Sequence, residues 1–191
     1  MEGSILYINS CVRRDSRTRQ LAERLLARLN APFEEVRPHE LALPLVDEAF
    51  LARRDRLIAE GRFDDPLFGL ARRFANAGKI VIAAPYWDLS FPAALKQYIE
   101  QINVVGITFK YSEAGIPVGL CRADQLFYVT TAGGDFAPDA FGFGYIEALA
   151  RTYYGIHDIR KIETLGLDIA GADADAIMNA AQARLSGMDL S

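Results

Sequence analysis

The chain has 191 residues, 51% of them apolar and 24% charged, with a formal net charge of −4. That length fits one domain of ordinary size, residues 1–191, and the composition excludes a disordered chain. The mild acidity leaves no footprint of a nucleic-acid binder, no apolar run approaches the roughly 20 residues of a membrane helix, and the Met1-Glu2-Gly3-Ser4 start lacks the basic region of a signal peptide.

Cys11 and Cys121 are too few for a disulfide framework and lack metal-ligand spacing, so a reducing, cytoplasmic setting is expected. Ser4 to Ser10 is a short run rich in Ile, Leu and Tyr, and reads as a buried strand. A helical pattern follows over residues 16–30, with Leu21, Leu25, Leu26 and Leu29 at helical spacing. The turn between them is a candidate anion site. A helix N-terminus leaves backbone N–H groups unpaired and bears partial positive charge. Ser10, Ser16 and Thr18 offer hydroxyl donors there, and Arg17 offers charge. Arg13, Arg14 and Arg19 read as a solvated face.

Asn30-Ala31-Pro32 stops the helix, and Phe33 to Arg37 is a short edge strand. Residues 39–64 depart from the regular alternation. Leu41 to Val46 reads as a loop, Asp47 to Gly61 holds helix formers, and the whole reads as a cap or subunit contact. Pro66 opens a helix over Leu67 to Ala77, closed by Gly78. Lys79 to Pro85 is a continuous apolar strand, as a parallel sheet covered on both faces requires. Tyr86 to Pro92 is the loop after it, and Pro92 starts a helix with Leu95, Tyr98, Ile99 and Ile102 on one face. Residues 105–122 are a second excursion. Gln125 to Thr130 is the next strand, running into the glycine turn Thr131-Ala132-Gly133-Gly134-Asp135. A helix over Gly144 to Tyr154, a strand over Ile159 to Leu167 and a helix over Asp173 to Leu185, capped by Asp173, complete the chain.

This rhythm predicts a doubly wound α/β fold: five parallel strands in the order 2-1-3-4-5, with helices on both faces. In such sheets ligands bind beyond the carboxyl ends of the strands, where the strand order reverses. The loops at 10–18, 85–89 and 131–134 follow strands one, three and four, so this order gathers them at one mouth. A phosphate site, an aromatic loop and a glycine turn around one crevice suit a flat, phosphorylated ligand such as FMN.

Three pieces of sequence point to a family. They are Ser10 with Ser16-Arg17-Thr18, then Pro85-Tyr86-Trp87-Asp88-Leu89 running into Ser90 to Lys96, then Thr131-Ala132-Gly133-Gly134. Gly106 to Tyr111 matches the piece between them. With these the chain resembles, over nearly its whole length, the flavodoxin-like NAD(P)H-dependent FMN oxidoreductases, the group of bacterial azoreductases and quinone reductases. It departs at Asp88, where many azoreductases have asparagine. The resemblance implies FMN as cofactor, NADH or NADPH as co-substrate, and ping-pong hydride transfer to a quinone, azo compound or similar small acceptor, with no side-chain nucleophile. It implies phosphate contacts from Ser10, Ser16, Arg17 and Thr18. Pro85, Tyr86, Trp87, Asp88 and Leu89 would stand beside the ring. At Thr131, Ala132, Gly133 and Gly134 the missing glycine Cβ atoms would let backbone approach the ring. It also implies a homodimer, for which Phe136 to Tyr145 and residues 39–64 are the candidate contacts.

Two other readings use the same stretches. Cys11, five intervening residues, then Arg17-Thr18 looks like the loop of the low-molecular-weight protein tyrosine phosphatases, where a thiolate attacks phosphorus and an arginine clamps its oxygens. The intervening Val12-Arg13-Arg14-Asp15-Ser16 lacks the glycine or asparagine of a tight anion cradle, and the one Asp-Pro pair, Asp65-Pro66, is not late in the chain. A flavodoxin-type electron carrier would share the fold, but such carriers are usually strongly acidic.

Overall fold

The computed structural model describes residues 4–190. Its elements in chain order are β1 (Ile5–Asn9), α1 (Arg17–Leu29), β2 (Phe33–Val36), α2 (Glu48–Ala59), α3 (Gly69–Asn76), β3 (Lys79–Ala83), α4 (Ala93–Ile102), β4 (Phe109–Tyr111), β5 (Pro117–Gly119), β6 (Gln125–Thr131), α5 (Phe143–Leu149), β7 (Asp158–Thr164) and α6 (Ala174–Gly187). Five strands form a parallel sheet in the order β2-β1-β3-β6-β7. Counted within the sheet, that is the expected order 2-1-3-4-5. β4 and β5 form a separate antiparallel hairpin inside the second excursion.

The central strands are apolar through their middles because neither face meets water, with polar residues confined to their ends, at Asn9, Lys79, Gln125, Thr130 and Thr131. Successive side chains of a strand point to opposite faces. Ile5 and Tyr7 of β1, Val81 and Ala83 of β3, and Phe127 and Val129 of β6 pack with Leu21 and Leu25 of α1 and Met178, Ala181 and Leu185 of α6. Leu6 and Ile8, Ile80 and Ile82, and Leu126 and Tyr128 pack with Phe74 of α3, Leu95 and Tyr98 of α4 and Ile146 of α5. A one-residue register slip would exchange these sets, so the pairings Asn9 with Ala83 and Ala83 with Val129 are strongly specified.

Local signals set most element ends. Ser16 caps α1, its Oγ accepting from the Arg19 N–H at 3.3 Å, and Asn30 closes it in a left-handed conformation at φ 46°. Asp47 caps α2 and Asp173 caps α6 in the same way, at 2.8 and 2.9 Å. Some boundaries differ from the sequence reading, among them the end of β3, which stops at Ala83 and not Pro85. Pro66 opens a 3₁₀ turn ahead of α3. The expected 144–154 helix divides into α5 and a π turn over Ala150–Tyr154. The last strand ends at Thr164, not Leu167, because Gly166 at φ 76° turns the chain and gives its N–H to the Gly134 carbonyl at 2.8 Å. Among the described residues, no helix is long and apolar enough to cross a membrane.

The hairpin backs onto the π turn. Phe109 stacks on Tyr153 with ring centroids 4.3 Å apart and planes 4° from parallel. Gly119 comes so near that a Cβ there would stand 2.2 Å from the Gly155 nitrogen and 2.3 Å from the Tyr154 carbonyl carbon. Both are backbone atoms and neither can swing aside. Gly119→Ala is therefore expected to cost about 1–3 kcal/mol, read as a lowered Tm in thermal unfolding. An unchanged Tm would show that the hairpin does not depend on this approach.

Candidate functional site

β1, β3 and β6 lie side by side, so the loops leaving their carboxyl ends share one edge of the sheet. Between β1 and β3 the chain reverses its direction of travel across the sheet, and a cleft of about 540 Å³ opens there. The volume is that of a small-molecule site. Ser16, Arg17 and Thr18 line it from the first loop, Tyr86 and Trp87 from the second, and Thr131, Ala132 and Gly133 from the third. Five expected residues stand outside the lining. Ser10 and Pro85 are buried, while Asp88, Leu89 and Gly134 are exposed. Ser10 gives its N–H to the Ala83 carbonyl at 2.9 Å, and its buried hydroxyl has no partner among the described residues.

The anion end is built differently from the simple expectation of free hydroxyls. Ser16 Oγ already accepts from the Arg19 N–H, which leaves its own O–H proton to donate. Thr18 Oγ1 and Thr131 Oγ1 share a buried hydrogen bond of 2.7 Å, tying the start of α1 to the end of β6. Arg17 turns away to Asp168, its Nη1 2.7 Å from Oδ1. The N–H groups of Arg17 and Thr18, in the first turn of α1, have no acceptor among the described residues, as the geometry of a helix start dictates. Arg13 and Arg14, read from sequence as a solvated face, also line the cleft, and no carboxylate pairs with either among the described residues.

The second loop holds a tight reversal. Trp87 and Ser90 exchange backbone hydrogen bonds of 2.9 and 2.8 Å, and the two residues between them, Asp88 at φ 50° and Leu89 at φ 66°, are left-handed. Two central residues with positive φ are the mark of a type I′ turn, which favours Asn, Asp and Gly. Asp88 suits that conformation. Leu89 does not, at a cost of about 1–2 kcal/mol. The turn is held by Ser90 Oγ donating to the Phe141 carbonyl at 2.6 Å and by the Tyr86 N–H donating to the Thr131 carbonyl at 3.0 Å.

The turn after β7 supplies a fourth wall that the sequence reading missed. Leu167 and Asp168 line the cleft, and the Asp168 N–H donates to the Gly133 carbonyl at 2.8 Å. A Cβ on Gly133 would sit 2.4 Å from Asp168 Oδ2. The space beside this glycine is thus taken by Asp168. The available signal was Gly166, which breaks the strand just before these residues.

The phosphatase reading fails on geometry. Ile5, Tyr7 and Cys11 all fall in the cluster under α1, so the thiol continues the inward face of β1. Its Sγ is buried and lies 3.8 Å from the Ala83 carbonyl. Burial pushes the thiol up to about 11, against smaller opposing effects of Ser16 and Arg19. A buried neutral thiol does not attack phosphorus, and the arginine that follows the five intervening residues is paired with Asp168. Among the described residues, no cluster of three or more His, Cys, Asp or Glu side chains is placed to hold a metal ion.

The fold and cleft define a doubly wound α/β protein with its site at the β1–β3 reversal. The chain belongs to the family described as flavodoxin-like fold, whose model matches residues 3–187. It is 34% identical over 184 residues to an FMN-dependent NADH:quinone oxidoreductase of Clostridium perfringens, covering 91% of each chain. A second relative, FMN-dependent NADH:quinone oxidoreductase 2 of Clostridium acetobutylicum, is 41% identical over 124 residues, and that match spans 60% of the relative's length. Among solved structures, an azoreductase from Bacillus anthracis superposes with a TM-score of 0.82 at 22% identity, covering 97% of each chain. An FMN-dependent NADH-azoreductase from Bacillus anthracis, solved in complex with FMN, superposes at 0.80 with 20% identity, covering 97% of this chain and 96% of that one. At these identities the superpositions speak for the fold.

The thiol geometry is directly testable. At pH 8, alkylation of Cys11 in the folded protein should be roughly 100-fold slower than that of a free thiol, followed by mass spectrometry, and should become fast on unfolding. Fast labelling of the folded protein would put the thiol in the cleft after all.

Proposed function

We propose that the protein is an FMN-dependent NAD(P)H oxidoreductase that reduces quinones, azo compounds or similar small acceptors. The observation that supports it best is the convergence in one cleft of a helix N-terminus, two unpaired arginines, an aromatic wall and the Thr131-Ala132-Gly133 turn. These groups fit FMN. The N–H groups of Arg17 and Thr18, the O–H of Ser16 and the charges of Arg13 and Arg14 would hold its phosphate. The unpartnered hydroxyl of Ser10 is a further donor behind them. From the Pro85 to Leu89 loop, Tyr86 and Trp87 would stand to one side of the ring, with Trp87, 36% exposed, at the mouth. Thr131, Ala132 and Gly133 would stand to the other.

FMN, when bound, supplies the two-electron chemistry, accepting hydride from a reduced nicotinamide and handing it to the acceptor. The chain's own residues bind, orient and exclude water. Tyr86 and Trp87 limit access to one face, so donor and acceptor use it in turn, which gives ping-pong kinetics. No side chain has to act as nucleophile, in keeping with the inert thiol of Cys11. Free thiols at Cys11 and Cys121 suit a reducing compartment such as the cytoplasm.

The functional unit is a homodimer in this reading. Phe141, 62% exposed, and Phe136, 74% exposed, stand in the segment that Ser90 ties to the second loop. Beside them Phe91, Phe141 and Tyr145 line an open apolar hollow of about 350 Å³. α2 is amphipathic only weakly, and Leu57 is its buried residue. A second copy covering these surfaces would close the mouth of the cleft.

Purified protein mixed with FMN and desalted is expected to keep a two-banded flavin absorption that bleaches on adding NADH or NADPH, and initial rates should give parallel double-reciprocal lines. Flavin that stays oxidised with both nicotinamides would indicate an electron carrier, and no retained flavin would remove the assignment. Light scattering should give twice the chain mass, and Phe141→Glu should move it toward one chain mass. A wild-type monomer with full flavin affinity would refute the dimer.

A further inference from the structure

Asn9 ends β1 and is fully buried. Its carboxamide makes two hydrogen bonds of opposite polarity. Oδ1 accepts from the Cys11 N–H at 3.0 Å, and Nδ2 donates to Glu35 Oε1 on β2 at 2.7 Å. Only an amide of this length does both, since aspartate offers no donor and an apolar residue offers neither. Glu35 is gripped in turn by Arg37, Nε to Oε1 at 3.0 Å and Nη2 to Oε2 at 3.2 Å. Burial pushes the Glu35 carboxyl up, but the bonds from Arg37 and Asn9 outweigh it and hold the group below its ordinary range. Glu35 is therefore a carboxylate at neutral pH, a strong acceptor that fixes which way the Asn9 amide faces.

The loop that this amide addresses has few other anchors. Backbone N–H groups from Val12 to Asp15 have no partner among the described residues. What holds the loop is the Cys11 N–H on Asn9, the Cys11 thiol against Ala83, and the Arg19 guanidinium on the Arg14 carbonyl. We propose that Asn9 is a positioning residue for the cofactor loop, carrying the Arg37–Glu35 ion pair of the sheet edge through to Cys11 and so setting where Arg13, Arg14 and the start of α1 stand in the cleft. This rests on the reading of the cleft as an FMN site. It assigns β2, an edge strand with no residue in the lining, a part in flavin affinity.

The test is FMN affinity against pH, read by quenching of flavin fluorescence, for the wild type, Asn9→Asp and the double variant Asn9→Asp/Glu35→Gln. In Asn9→Asp two carboxylates meet where one donor and one acceptor stood. Loss of a charge-assisted bond predicts an FMN Kd raised about 10- to 100-fold at pH 8. A pair of carboxylates so close shares one proton readily, which restores the donor, so the Kd should fall back toward the wild-type value as the pH is lowered toward about 5. The other groups around Glu35 are Arg37 and Glu40 from its own side, Arg19 and Glu23 of α1, Tyr7 of β1 and Cys11 in the loop after it. The arginines keep their charge and the buried phenol and thiol stay neutral over this range, while the wild-type profile controls for the two glutamates and the phosphate. In the double variant the two groups exchange roles. The carboxamide now on β2 donates to the carboxylate now at the end of β1, but it gives up the bond that Oε1 accepts from Arg37 Nε, so affinity should return part of the way, to at least about 3-fold tighter than Asn9→Asp at pH 8 and without its recovery at low pH.

A merely structural role for Asn9 would lower Tm and leave the Kd of the folded variant alone. A wild-type Kd for folded Asn9→Asp at pH 8 overturns the inference, as does a double variant no tighter than the single one. Should Asn9→Asp fail to fold, the double variant decides alone: it binds FMN within about 10-fold of wild type, or the proposal is wrong. A wild-type protein that holds no FMN defeats the reading of the cleft itself, and the two failures are told apart by that control.

Discussion

A parallel sheet buried on both faces leaves its strand ends as the place where polar chemistry can meet a ligand. Everything at this site depends on β1 lying between β2 and β3. The chain leaves β1 toward one side of the sheet and leaves β3 toward the other, so the two loops part and the space between them is not filled. Apolar packing above and below holds the three central strands in register to the residue, with Asn9, Ala83 and Val129 abreast. The loops therefore begin from fixed points even though they are exposed.

Beyond those points the loops are tied to one another, and magnitudes decide which ties count. The Arg17–Asp168 pair is 40% and 68% exposed, so it is worth no more than about 1 kcal/mol. The Thr18–Thr131 bond is buried on both sides. Removing one partner strands the other, at a cost of about 1–3 kcal/mol. Backbone bonds from Ala132 to Thr164, from Asp168 to Gly133 and from Gly166 to Gly134 add the turn after β7 to the same set. The exposed ion pair thus chooses a direction for Arg17, while buried and backbone bonds hold the walls.

Much of this was legible in the chain itself. Unbroken apolar runs such as Lys79 to Pro85 told of a sheet covered twice, and the rhythm of strands and helices led to the strand order. Ser16, Asp47 and Asp173 sat where helices start. What was not legible was partnership across the fold. Nothing local to Arg17 tells of Asp168, 151 positions away. Nothing local to Arg13 and Arg14 tells that they border a cleft as well as solvent. Ser16 and Thr18 were readable as hydroxyls at an anion site, but their hydrogen bonds to Arg19 and Thr131 depend on the cap geometry and on β6. The strand expected to reach Leu167 stopped at Thr164 because Gly166 adopts positive φ, which its identity permits but does not compel.

The contrast between Cys11 and Arg17 shows how little spacing alone decides. A cysteine and an arginine separated by five residues after a strand satisfy a phosphatase pattern as a string. The string says nothing of which way each side chain faces. Residue 11 has the parity of Ile5 and Tyr7, so the thiol enters the core beneath α1, where burial raises its pKa and removes the nucleophile. Arg17 opens α1, and its guanidinium finds Asp168 before it finds the cleft floor. With the Thr18 hydroxyl engaged and Ser16 left only its proton to give, the charge available to an incoming phosphate falls to Arg13, Arg14 and the bare N–H groups of the helix start. Those groups sit on a stretch whose N-terminal anchor is the Asn9 amide, so the electrostatics of the cleft are set one layer below it, in the part-buried polar contact between two neighbouring strands.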